Sequence, residues 1–275
     1  MTTLVIIAAT AGLAMAGAAE RAHDGARELR VCADPDNLPY SRDDGTGFEN
    51  RIAELIARDL GARVTYAWFP QGRGFVRKTL NADACDVIVG VPSAFDLVRT
   101  TAPYYRSGYV FVFRPDAAAY RSFEDTRLRN VRVGVQLVAD DLATTPPGHA
   151  LAARGIVDNV IGYPVYGERP QAERMIAAVA TGQIDVALVW GPQAAYYAAR
   201  RNEPLALSLA QAPNELRDVP FEFDMSMGVR KADAALAREL DAALARRRGD
   251  IETILKEFGV PRAERALRQS ARSVP

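Results

Sequence analysis

The sequence has few of the residues on which most enzyme chemistry depends. Its 275 residues include only two histidines: His23 lies near the amino terminus, and His149 lies in the segment TTPPGHA, which we interpret as a loop. A catalytic triad or a two-histidine metal site requires histidine close to partner side chains, and neither position favours such a cluster. We therefore predict that the chain is not an enzyme and has no catalytic residue, no metal site and no cofactor.

An excess of one charge and a long internal apolar run are also absent. Lysine plus arginine and aspartate plus glutamate each number 34, so the chain lacks the basic surplus typical of nucleic-acid-binding proteins. After residue 19 no uncharged run reaches the length of a membrane span. With 49% hydrophobic and 25% charged residues, the composition is that of an ordinary soluble protein. We expect neither nucleic acid as a partner nor stable insertion into a membrane.

Residues 1–19, MTTLVIIAATAGLAMAGAA, contain no charged side chain. An apolar stretch from Leu4 to about Ala16 is followed by small residues that suit signal peptidase. We predict that residues 1–19 are a signal peptide and that the mature chain is periplasmic. Because the basic residues that usually precede the apolar stretch are missing, an uncleaved anchor or a misplaced start is the alternative.

Cysteine is equally scarce, with Cys32 and Cys85 as the only two. An even pair in an exported protein favours a disulfide. Each cysteine lies in or beside a predicted strand, and neighbouring strands about 4.8 Å apart bring Cα atoms within the range that a disulfide bridges. Two buried free thiols are the alternative interpretation.

Apolar spacing predicts a similar order of elements in both halves of the chain. In the first half strands and helices alternate, which implies right-handed crossovers and a parallel sheet. The predicted elements are a strand at Leu29–Asp34, a helix at Phe48–Leu60, a strand at Arg63–Trp68, a helix near Gly74–Leu80 and a strand at Asp86–Gly90. The second half has a strand from Val131, a helix at Ala172–Thr181 and a strand at Ile184–Trp190.

Two extended segments are expected to connect the halves. Tyr109–Phe113 (YVFVF) and Phe221–Arg230 (FEFDMSMGVR) alternate like strands, and helices between Ala232 and Phe258 then return to the first half. Glu222 and Asp224 share one face of the second segment, which we assign to the hinge rather than to acid/base work. We predict an α/β fold of two Rossmann-like lobes with mainly parallel sheets, joined by a two-segment hinge. Lobe 1 would comprise residues 28–111 and 223–275, and lobe 2 residues 112–222.

Polar and aromatic residues follow the predicted strands, at the edge where open α/β sheets bind ligands. The candidate cleft residues are Asp34, Asn37, Tyr40, Pro92, Tyr104 and Tyr105 from the first lobe, and Gln136, Trp190 and Gln193 from the second. For Asp34 and Asn37 the alternative is capping of the nearby proline turns, and for Trp190 it is burial within the second lobe. A cleft of rings and amides with few charges suits a neutral or aromatic small molecule.

An aromatic run next to glycines precedes the second predicted helix. Its candidates for a site are Trp68, Phe69, Gln71 and Arg73. Aromatic rings beside flexible glycines suit either a hydrophobic cleft wall or a surface that docks another protein. Part of the run is also expected to be ordinary core, as large aromatic side chains often are.

Several segments together resemble type 2 periplasmic solute-binding proteins of the amino-acid-receptor kind. They are LRVCADPDNLPY, GFENRIAELIARDLG, CDVIVGVP, APYYRSGYVFVFRP and TGQIDVALVWGPQAAYYA, in the family's order and over nearly all of the mature chain. The resemblance implies two α/β lobes that close on a ligand at the hinge. This chain lacks the family's Thr-x-x-Arg grip on the ligand carboxylate, and Trp190 replaces the aspartate that accepts the ligand ammonium. α-Amino acids are therefore not expected to bind.

The sequence is also similar to a narrower group, the MoxJ/XoxJ-type accessory proteins of PQQ-dependent methanol dehydrogenases. The segments that carry this similarity are RVCADPDNLPYS, GFENRIAELIA, PQGRGFVRKTL, CDVIVGVP, TTAPYYRSGYVFVFR and LVWGPQAAYYA. The resemblance implies a periplasmic, non-catalytic protein that assists maturation or activation of the dehydrogenase by direct contact. The alternative is the substrate-binding receptor of an ABC importer for a neutral or aromatic small solute.

Overall fold

The computed structural model describes residues 27–138, 143–165, 169–216 and 218–261. The predicted signal peptide and the last residues of predicted lobe 1 lie outside the described residues. The strands are β1 (Arg27–Ala33), β2 (Asp36–Asn37), β3 (Ser41–Arg42), β4 (Ala62–Trp68), β5 (Val87–Pro92), β6 (Arg99–Thr100), β7 (Tyr105–Phe113), β8 (Val133–Val138), β9 (Ala143–Thr144), β10 (Val160–Tyr163), β11 (Val186–Trp190), β12 (Ala206–Leu209) and β13 (Glu222–Val229). The α-helices are α1 (Phe48–Asp59), α2 (Phe75–Lys78), α3 (Pro146–Ala152), α4 (Gln171–Ala180), α5 (Gly191–Ala198), α6 (Ala234–Arg246) and α7 (Arg248–Glu257).

A mixed sheet runs through the described part of the chain in the order β10-β8-β11-β7-β13-β5-β1-β4. Towards its two ends the strands are parallel: β1 pairs with β4 and β5, and β8 pairs with β10 and β11. In the middle β7 and β13 pair antiparallel, with residues 105–108 opposite residues 222–225. These are the two connecting segments that the alternating pattern predicts, and the α/β fold class is confirmed. We call the part around β1, β4 and β5 the first lobe and the part around β8, β10 and β11 the second lobe.

An ion-pair cluster lies where the two connecting strands meet. Arg106 of β7 contacts Glu222 at 3.0 Å and Asp224 at 3.2 Å, both on β13. The two carboxylates lie on one face because they are two residues apart on a strand. The guanidinium joins the strands across the hinge, in agreement with the structural role assigned to this pair of carboxylates.

In the first lobe, helices α1, α6 and α7 cover one face of the sheet. Phe48, Ile52 and Ile56 recur at helical spacing along α1 and are each 0% exposed, packed in the main core of this lobe. The C-terminal helices α6 and α7 contact α1, and the predicted lobe boundaries stay a prediction. The opposite face carries α2 and a smaller cluster that includes Phe75 and Leu80.

In the second lobe, hydrophobic clusters lie on both faces of the sheet. One cluster contains Phe111 and Leu151, and the other contains Val112 with Met175 and Ile176 of α4. Both clusters receive side chains from β7 because successive residues of a strand point to opposite faces. A strand buried on both faces is expected to be continuously apolar, as the sequence YVFVF is.

Cys32 and Cys85 form the predicted disulfide. Strands β1 and β5 are neighbours, with Cys32 opposite Ile88, and the two cysteine Cα atoms are 5.4 Å apart. Cys32 is 3% exposed and Cys85 is 0% exposed, within the same cluster as Phe75 and Leu80. The bridge therefore joins neighbouring elements inside a hydrophobic cluster.

The segment TTPPGHA forms a helix, and the loop predicted for it is wrong. Helix α3 begins at Pro146, directly after Thr145 at the N-cap position, and His149 lies on it with an exposed side chain. Proline suits the first helical position because its missing N–H would have no helical partner there and its φ angle is already helical. The Pro-Pro pair thus begins a helix rather than forming part of a loop.

Candidate functional site

A cavity of about 390 Å³ lies between the two lobes, beside the strands β7 and β13 that join them. We call it the inter-lobe cleft. Amide side chains and aromatic rings from both lobes form most of its wall. The lining residues are Asn37, Tyr40, Glu49, Gln71, Gly90, Pro92, Tyr109, Gln136, Val138, Thr145, Gln171, Trp190, Gln193, Phe223 and Met225.

The structure brings together about half of the site residues predicted from the sequence. Those in the cleft lining are Asn37, Tyr40, Gln71, Pro92, Gln136, Trp190 and Gln193. Those outside it are Asp34, Trp68, Phe69, Arg73, Tyr104 and Tyr105. Binding of a ligand or partner by any of them stays a prediction.

Asp34 fixes the first-lobe loop that follows β1. Its carboxylate accepts the backbone N–H of Asp36 at 2.9 Å and that of Gln71 at 2.5 Å. The side-chain amide of Asn37 in turn donates to Gln71 Oε1 at 2.7 Å. Asp34 therefore has the turn-capping geometry considered as its alternative role, and it holds Asn37 and Gln71 in the cleft lining.

A network of glutamine side chains forms the second-lobe wall. Gln136 at the end of β8 donates through Nε2 to Gln171 Oε1 at 3.0 Å and to Gln193 Oε1 at 3.1 Å. Its own Oε1 accepts the backbone N–H of Trp190 at 2.8 Å. Gln136 is 6% exposed, and its hydrogen bonds connect it to α4, α5 and β11. This wall is therefore rigid, and its amide groups bond largely to one another.

Aromatic rings from both lobes and the connecting strands surround Trp190. Its ring centroid lies 5.4 Å from that of Tyr109 and 5.5 Å from that of Phe223, both in edge-to-face geometry. Burial raises the pKa of Tyr40 well above its usual value, and a hydrogen bond from the Trp190 side chain only partly opposes this effect. Burial also raises the pKa of Tyr109 to about 12. These phenols stay neutral, so the aromatic wall carries no charge.

The predicted aromatic run contributes to packing more than to the cleft. Trp68 stacks on Tyr66 with centroids 4.4 Å apart, and both pack against the main core of the first lobe. Phe69 lies under Lys78, whose ammonium is 5.1 Å from the ring centroid, and Arg73 is exposed at the surface. The division between core and surface foreseen for this run is thus observed.

Tyr104 and Tyr105 lie behind the cleft wall. The hydroxyl of Tyr104 donates to the backbone carbonyl of Val89 at 2.9 Å. Tyr105 is 6% exposed and its ring meets that of Phe48 edge-on, with centroids 6.1 Å apart. These two rings support β5 and α1 from the core side.

Glu49 is the cleft residue that sequence reasoning missed. It occupies the first turn of α1, whose start is fixed because Asn50 Oδ1 accepts the backbone N–H of Gly47 at 3.1 Å. Its carboxyl group lies over Gly90 at the end of β5: a Cβ atom added to Gly90 would come within 2.0 Å of Glu49 Oε1. Glycine at position 90 is therefore what allows the Glu49 side chain to reach the cleft.

Burial raises the pKa of Glu49 to about 8. The titratable side chains whose pKa values respond to its charge are phenols, namely Tyr40, Tyr66, Tyr104 and Tyr105. No Lys or Arg side chain is among the described residues that line the cleft, so no described cation offsets this carboxylate. The carboxyl group is mostly protonated near neutral pH.

We expect Glu49→Gln to change how stability depends on pH. The pKa of Glu49 is raised from 4.5 to about 8 on folding, so the folded state binds more protons between these values and wild-type stability falls as the pH rises from 4.5 to 8. Glutamine removes this dependence. The free energy of unfolding of the variant should equal that of the wild type near pH 4 and exceed it near pH 9 by on the order of 2 kcal/mol. This difference is smaller than the full pKa shift would give, because water in the cleft relieves part of the effect of burial.

Urea unfolding at several pH values measures this difference. Glu54→Gln is the matched control, because Glu54 lies on the same helix with an exposed side chain. Equal pH profiles for the wild type and the Glu49 variant would show that the carboxyl group is not held in its neutral form.

The lobes also touch beside the cleft. The Tyr197 hydroxyl of α5 donates to the backbone carbonyl of Leu38 at 3.3 Å. The Tyr196 ring stacks near that of Phe258, which follows α7, at a centroid distance of 6.3 Å and an interplanar angle of 13°. An opening of the cleft by rotation about β7 and β13 would have to break or shift these contacts.

Neither a metal-binding cluster nor a membrane-spanning helix is found within the described ranges. No group of three or more His, Cys, Asp or Glu side chains is arranged to hold a metal ion in residues 27–138, 143–165, 169–216 and 218–261. Within the same ranges, the helices are too short or too polar to cross a membrane.

Two α/β lobes, two connecting strands and a cavity between the lobes define a two-lobed binding protein. Comparison with known proteins identifies which kind. Residues 29–260 match the model of the bacterial extracellular solute-binding proteins, family 3, and the chain belongs to this family. Membership of this family confirms the predicted fold, and an extracellular family agrees with the predicted export. The predicted non-enzymatic character is supported by the similarity to MoxJ and to the periplasmic binding protein XoxJ.

Three similar proteins indicate a narrower group within this family. Protein MoxJ of Methylorubrum extorquens is 37% identical over 262 residues, which cover 89% of this chain and 84% of that protein. Protein MoxJ of Paracoccus denitrificans is 33% identical over 266 residues, which cover 91% of this chain and 95% of that protein. The crystal structure of the periplasmic binding protein XoxJ from Methylobacterium extorquens AM1 matches with a TM-score of 0.72 and 34% identity, over 86% of this chain and 99% of that one. The similarity to MoxJ and XoxJ is thus confirmed over nearly the whole chain.

Proposed function

We propose that this chain is a periplasmic accessory protein that assists maturation or activation of a PQQ-dependent methanol dehydrogenase by direct contact. The observation that carries the proposal is the similarity to MoxJ and XoxJ, which reaches 37% identity and extends through both lobes. The resemblance to this type of protein implies the dehydrogenase as partner. The leader at residues 1–19, if cleaved, would deliver the chain to the compartment where such an enzyme acts.

The chemistry of the cleft supports a function other than amino-acid capture. A ligand carboxylate needs a cationic or multiple N–H partner when it is buried, and no Lys or Arg side chain is among the described lining residues. The Gln136 amide is already engaged with Gln171 and Gln193. The described lining therefore lacks the cationic partner that the carboxylate of an amino acid would need.

An exposed apolar surface on the first lobe supports direct contact with a protein. Leu97 is 58% exposed, and with Phe95 and Gly72 it borders a groove of about 310 Å³. Gln71 lines both this groove and the inter-lobe cleft, so the groove continues from the cleft rim. Arg73, exposed in the adjacent loop, adds the residue type that is enriched at protein interfaces.

The test is capture of the chain by the immobilised methanol dehydrogenase of the same bacterium, with and without PQQ. We expect wild-type binding, together with a rise in dehydrogenase activity on mixing. Leu97→Ser should weaken binding by about tenfold or more, as loss of an apolar anchor does. Ile161→Ser is the matched control because Ile161 is 40% exposed on the second lobe. Absence of capture in every cofactor state would contradict the proposal.

A transport receptor is the second candidate, and the cleft itself favours it. A cavity of about 390 Å³ lined from both lobes has the size range of small-molecule sites. A ligand at a hundred times its dissociation constant should raise the free energy of unfolding by about 2.7 kcal/mol. A large thermal shift with a nutrient-like solute, combined with no binding to the dehydrogenase, would favour this candidate.

A further inference from the structure

The described lining of the inter-lobe cleft contains one ionisable carboxyl group and no cationic side chain. Glu49 supplies this carboxyl group, and the described lining residues include no Lys or Arg side chain. The carboxyl group is held over Gly90 by the geometry of α1 and β5, and among the described residues no side chain forms a hydrogen bond or an ion pair with it. A carboxyl group placed in a cavity without a protein partner is available to a ligand that brings hydrogen-bond donors and positive charge.

The walls around this carboxyl group are suited to a cation with an aromatic body. Tyr40, Tyr109, Trp190 and Phe223 line the cleft, and the last three form a connected edge-to-face cluster. Aromatic faces attract ammonium groups through their quadrupoles, most strongly for tryptophan, and they also pack against other rings. The cluster thus supplies both a cation-attracting surface and an apolar surface.

The remaining polar groups discriminate against anions. The side-chain amide of Gln136 is hydrogen-bonded to the side chains of Gln171 and Gln193 and to the backbone N–H of Trp190. The hydroxyl of Thr145, which is buried in the lining without a hydrogen-bond partner, is neutral and can accept an N–H or donate its own O–H. None of the described lining groups combines positive charge with the paired donors that a buried carboxylate of a ligand would need.

We propose that the inter-lobe cleft binds a small aromatic monoamine as its ammonium ion, with Glu49 as the counter-ion, and that it rejects the amino acid bearing the same side chain. This inference concerns a ligand of the cleft and goes beyond the accessory role proposed above. It also revises the expected ligand class, because only a cationic ligand would use the negative charge that Glu49 can carry.

Binding should release a proton from the protein. With a pKa of about 8 the Glu49 carboxyl group is mostly protonated at pH 7, whereas the amine enters as an ammonium ion. The ammonium favours the carboxylate form, so the carboxyl proton leaves to the buffer as the ion pair forms. The phenols that respond to the charge of Glu49 do not exchange protons in this range, because the pKa of Tyr66 is raised above 10.0 and those of Tyr40, Tyr104 and Tyr105 are raised well above it.

The test is isothermal titration calorimetry of the exported chain with three matched probes: phenethylamine, 2-phenylethanol and phenylalanine. The first two differ by amine against hydroxyl, and the first and third differ only by a carboxylate. We expect phenethylamine to bind at least about tenfold more tightly than either of the others, as a charge-assisted bond in a buried site predicts. Titration in two buffers of different ionisation enthalpy should report release of close to one proton per phenethylamine bound at pH 7.

Glu49→Gln should weaken phenethylamine binding by at least about tenfold and abolish proton release, while 2-phenylethanol binding changes little. Glu54→Gln on the exposed face of the same helix should change neither. Gly90→Ala provides a second variant, because its Cβ would displace the Glu49 carboxyl group without removing it, and it too should weaken phenethylamine binding. Thermal unfolding verifies that each variant is folded.

Several results would overturn the proposal. They are phenethylamine affinity unchanged in folded Glu49→Gln, phenylalanine binding as tightly as phenethylamine, or no binding of phenethylamine at millimolar concentration. The capture experiment with the dehydrogenase is performed on the same variants. Its failure with intact amine binding would count against the accessory role alone, and its success without amine binding would count against the cleft ligand alone.

Discussion

Replacing both cysteines by alanine should lower the free energy of unfolding by about 4 kcal/mol, since the bridge closes a loop of 53 residues whose freedom in the unfolded chain it removes. Cys32 and Cys85 join two neighbouring strands of the first-lobe sheet, so the loop they close contains α1, β4 and α2. The disulfide thus limits the unfolded conformations of this part of the first lobe. Urea unfolding of the double variant and the wild type, followed by tryptophan fluorescence, measures the difference.

The control separates loop closure from loss of side-chain packing. Wild-type protein unfolded in a reductant and refolded in its presence keeps both sulfur atoms but lacks the bond. Its stability should also fall, by most of the same amount, because the entropic contribution depends on the bond and not on the thiols. If the reduced protein unfolds at the same urea concentration as the oxidised protein, chain entropy is not the source of the stabilisation.

Local periodicity was sufficient to predict several strands of the sheet, although β10 and β12 were not predicted. The apolar run around Val31, the helical spacing of Phe48, Ile52 and Ile56, and the apolar strand before Trp190 all form the structures that their patterns indicate. These segments are long or strongly patterned, and packing reinforces their intrinsic preference. The two cysteines were equally informative because their pairing depends on two strands whose adjacency follows from the order of elements.

Other parts of the fold depended on contacts that a local pattern does not contain. Strand β7 begins at Tyr105, four residues before the predicted segment at Tyr109, because residues 105–108 find partners on β13. The sequence YRSG of that stretch does not alternate between apolar and polar residues. Long-range pairing therefore extends a strand beyond the reach of its own pattern.

Some residues of the candidate site could likewise be predicted from their position in the strand pattern, and others could not. Pro92 and Trp190 end their strands, Gln136 lies near the end of β8, and Tyr40 lies in the loop after β1. All four line the cleft because strand ends converge at one edge of the sheet. Trp68 also ends a strand, yet it packs on the face that it shares with Tyr66, where alternation along β4 directs it.

Glu49 could not be identified from helical spacing. Its position beside Phe48 does not reveal that its side chain faces Gly90, which is 41 residues away in the chain. The signal that could have found it is a pair of features: an acidic residue in the first turn of a helix and a glycine at the end of a neighbouring strand. Only the packing of α1 against β5 shows that the two features meet.

Phe48→Ala should lower the free energy of unfolding by about 4 kcal/mol, within the range found for removal of a buried phenylalanine ring. Phe48 is 0% exposed, and its ring contacts three others edge-on: Tyr40 at 5.4 Å, Tyr105 at 6.1 Å and Phe258 at 5.7 Å between centroids. Tyr40 lies between β2 and β3, in the loop that we call the cleft loop. Tyr105 belongs to the connecting strand β7, and Phe258 belongs to the segment after α7. No single neighbour can fill the space, because each ring is fixed by a different element.

The same substitution should also disturb the cleft, since Phe48 precedes Glu49 and its ring supports Tyr40 from behind. Urea unfolding measures the stability loss, and phenethylamine titration of the folded variant measures the effect on the cleft. Phe95→Ala is the matched control: Phe95 is half-buried in a different cluster and should cost less than half as much. Phe48→Leu should recover most of the lost stability because it refills the cavity with apolar volume. A cost for Phe48→Ala below that of Phe95→Ala would mean that the four-ring cluster does not anchor the cleft loop to the core.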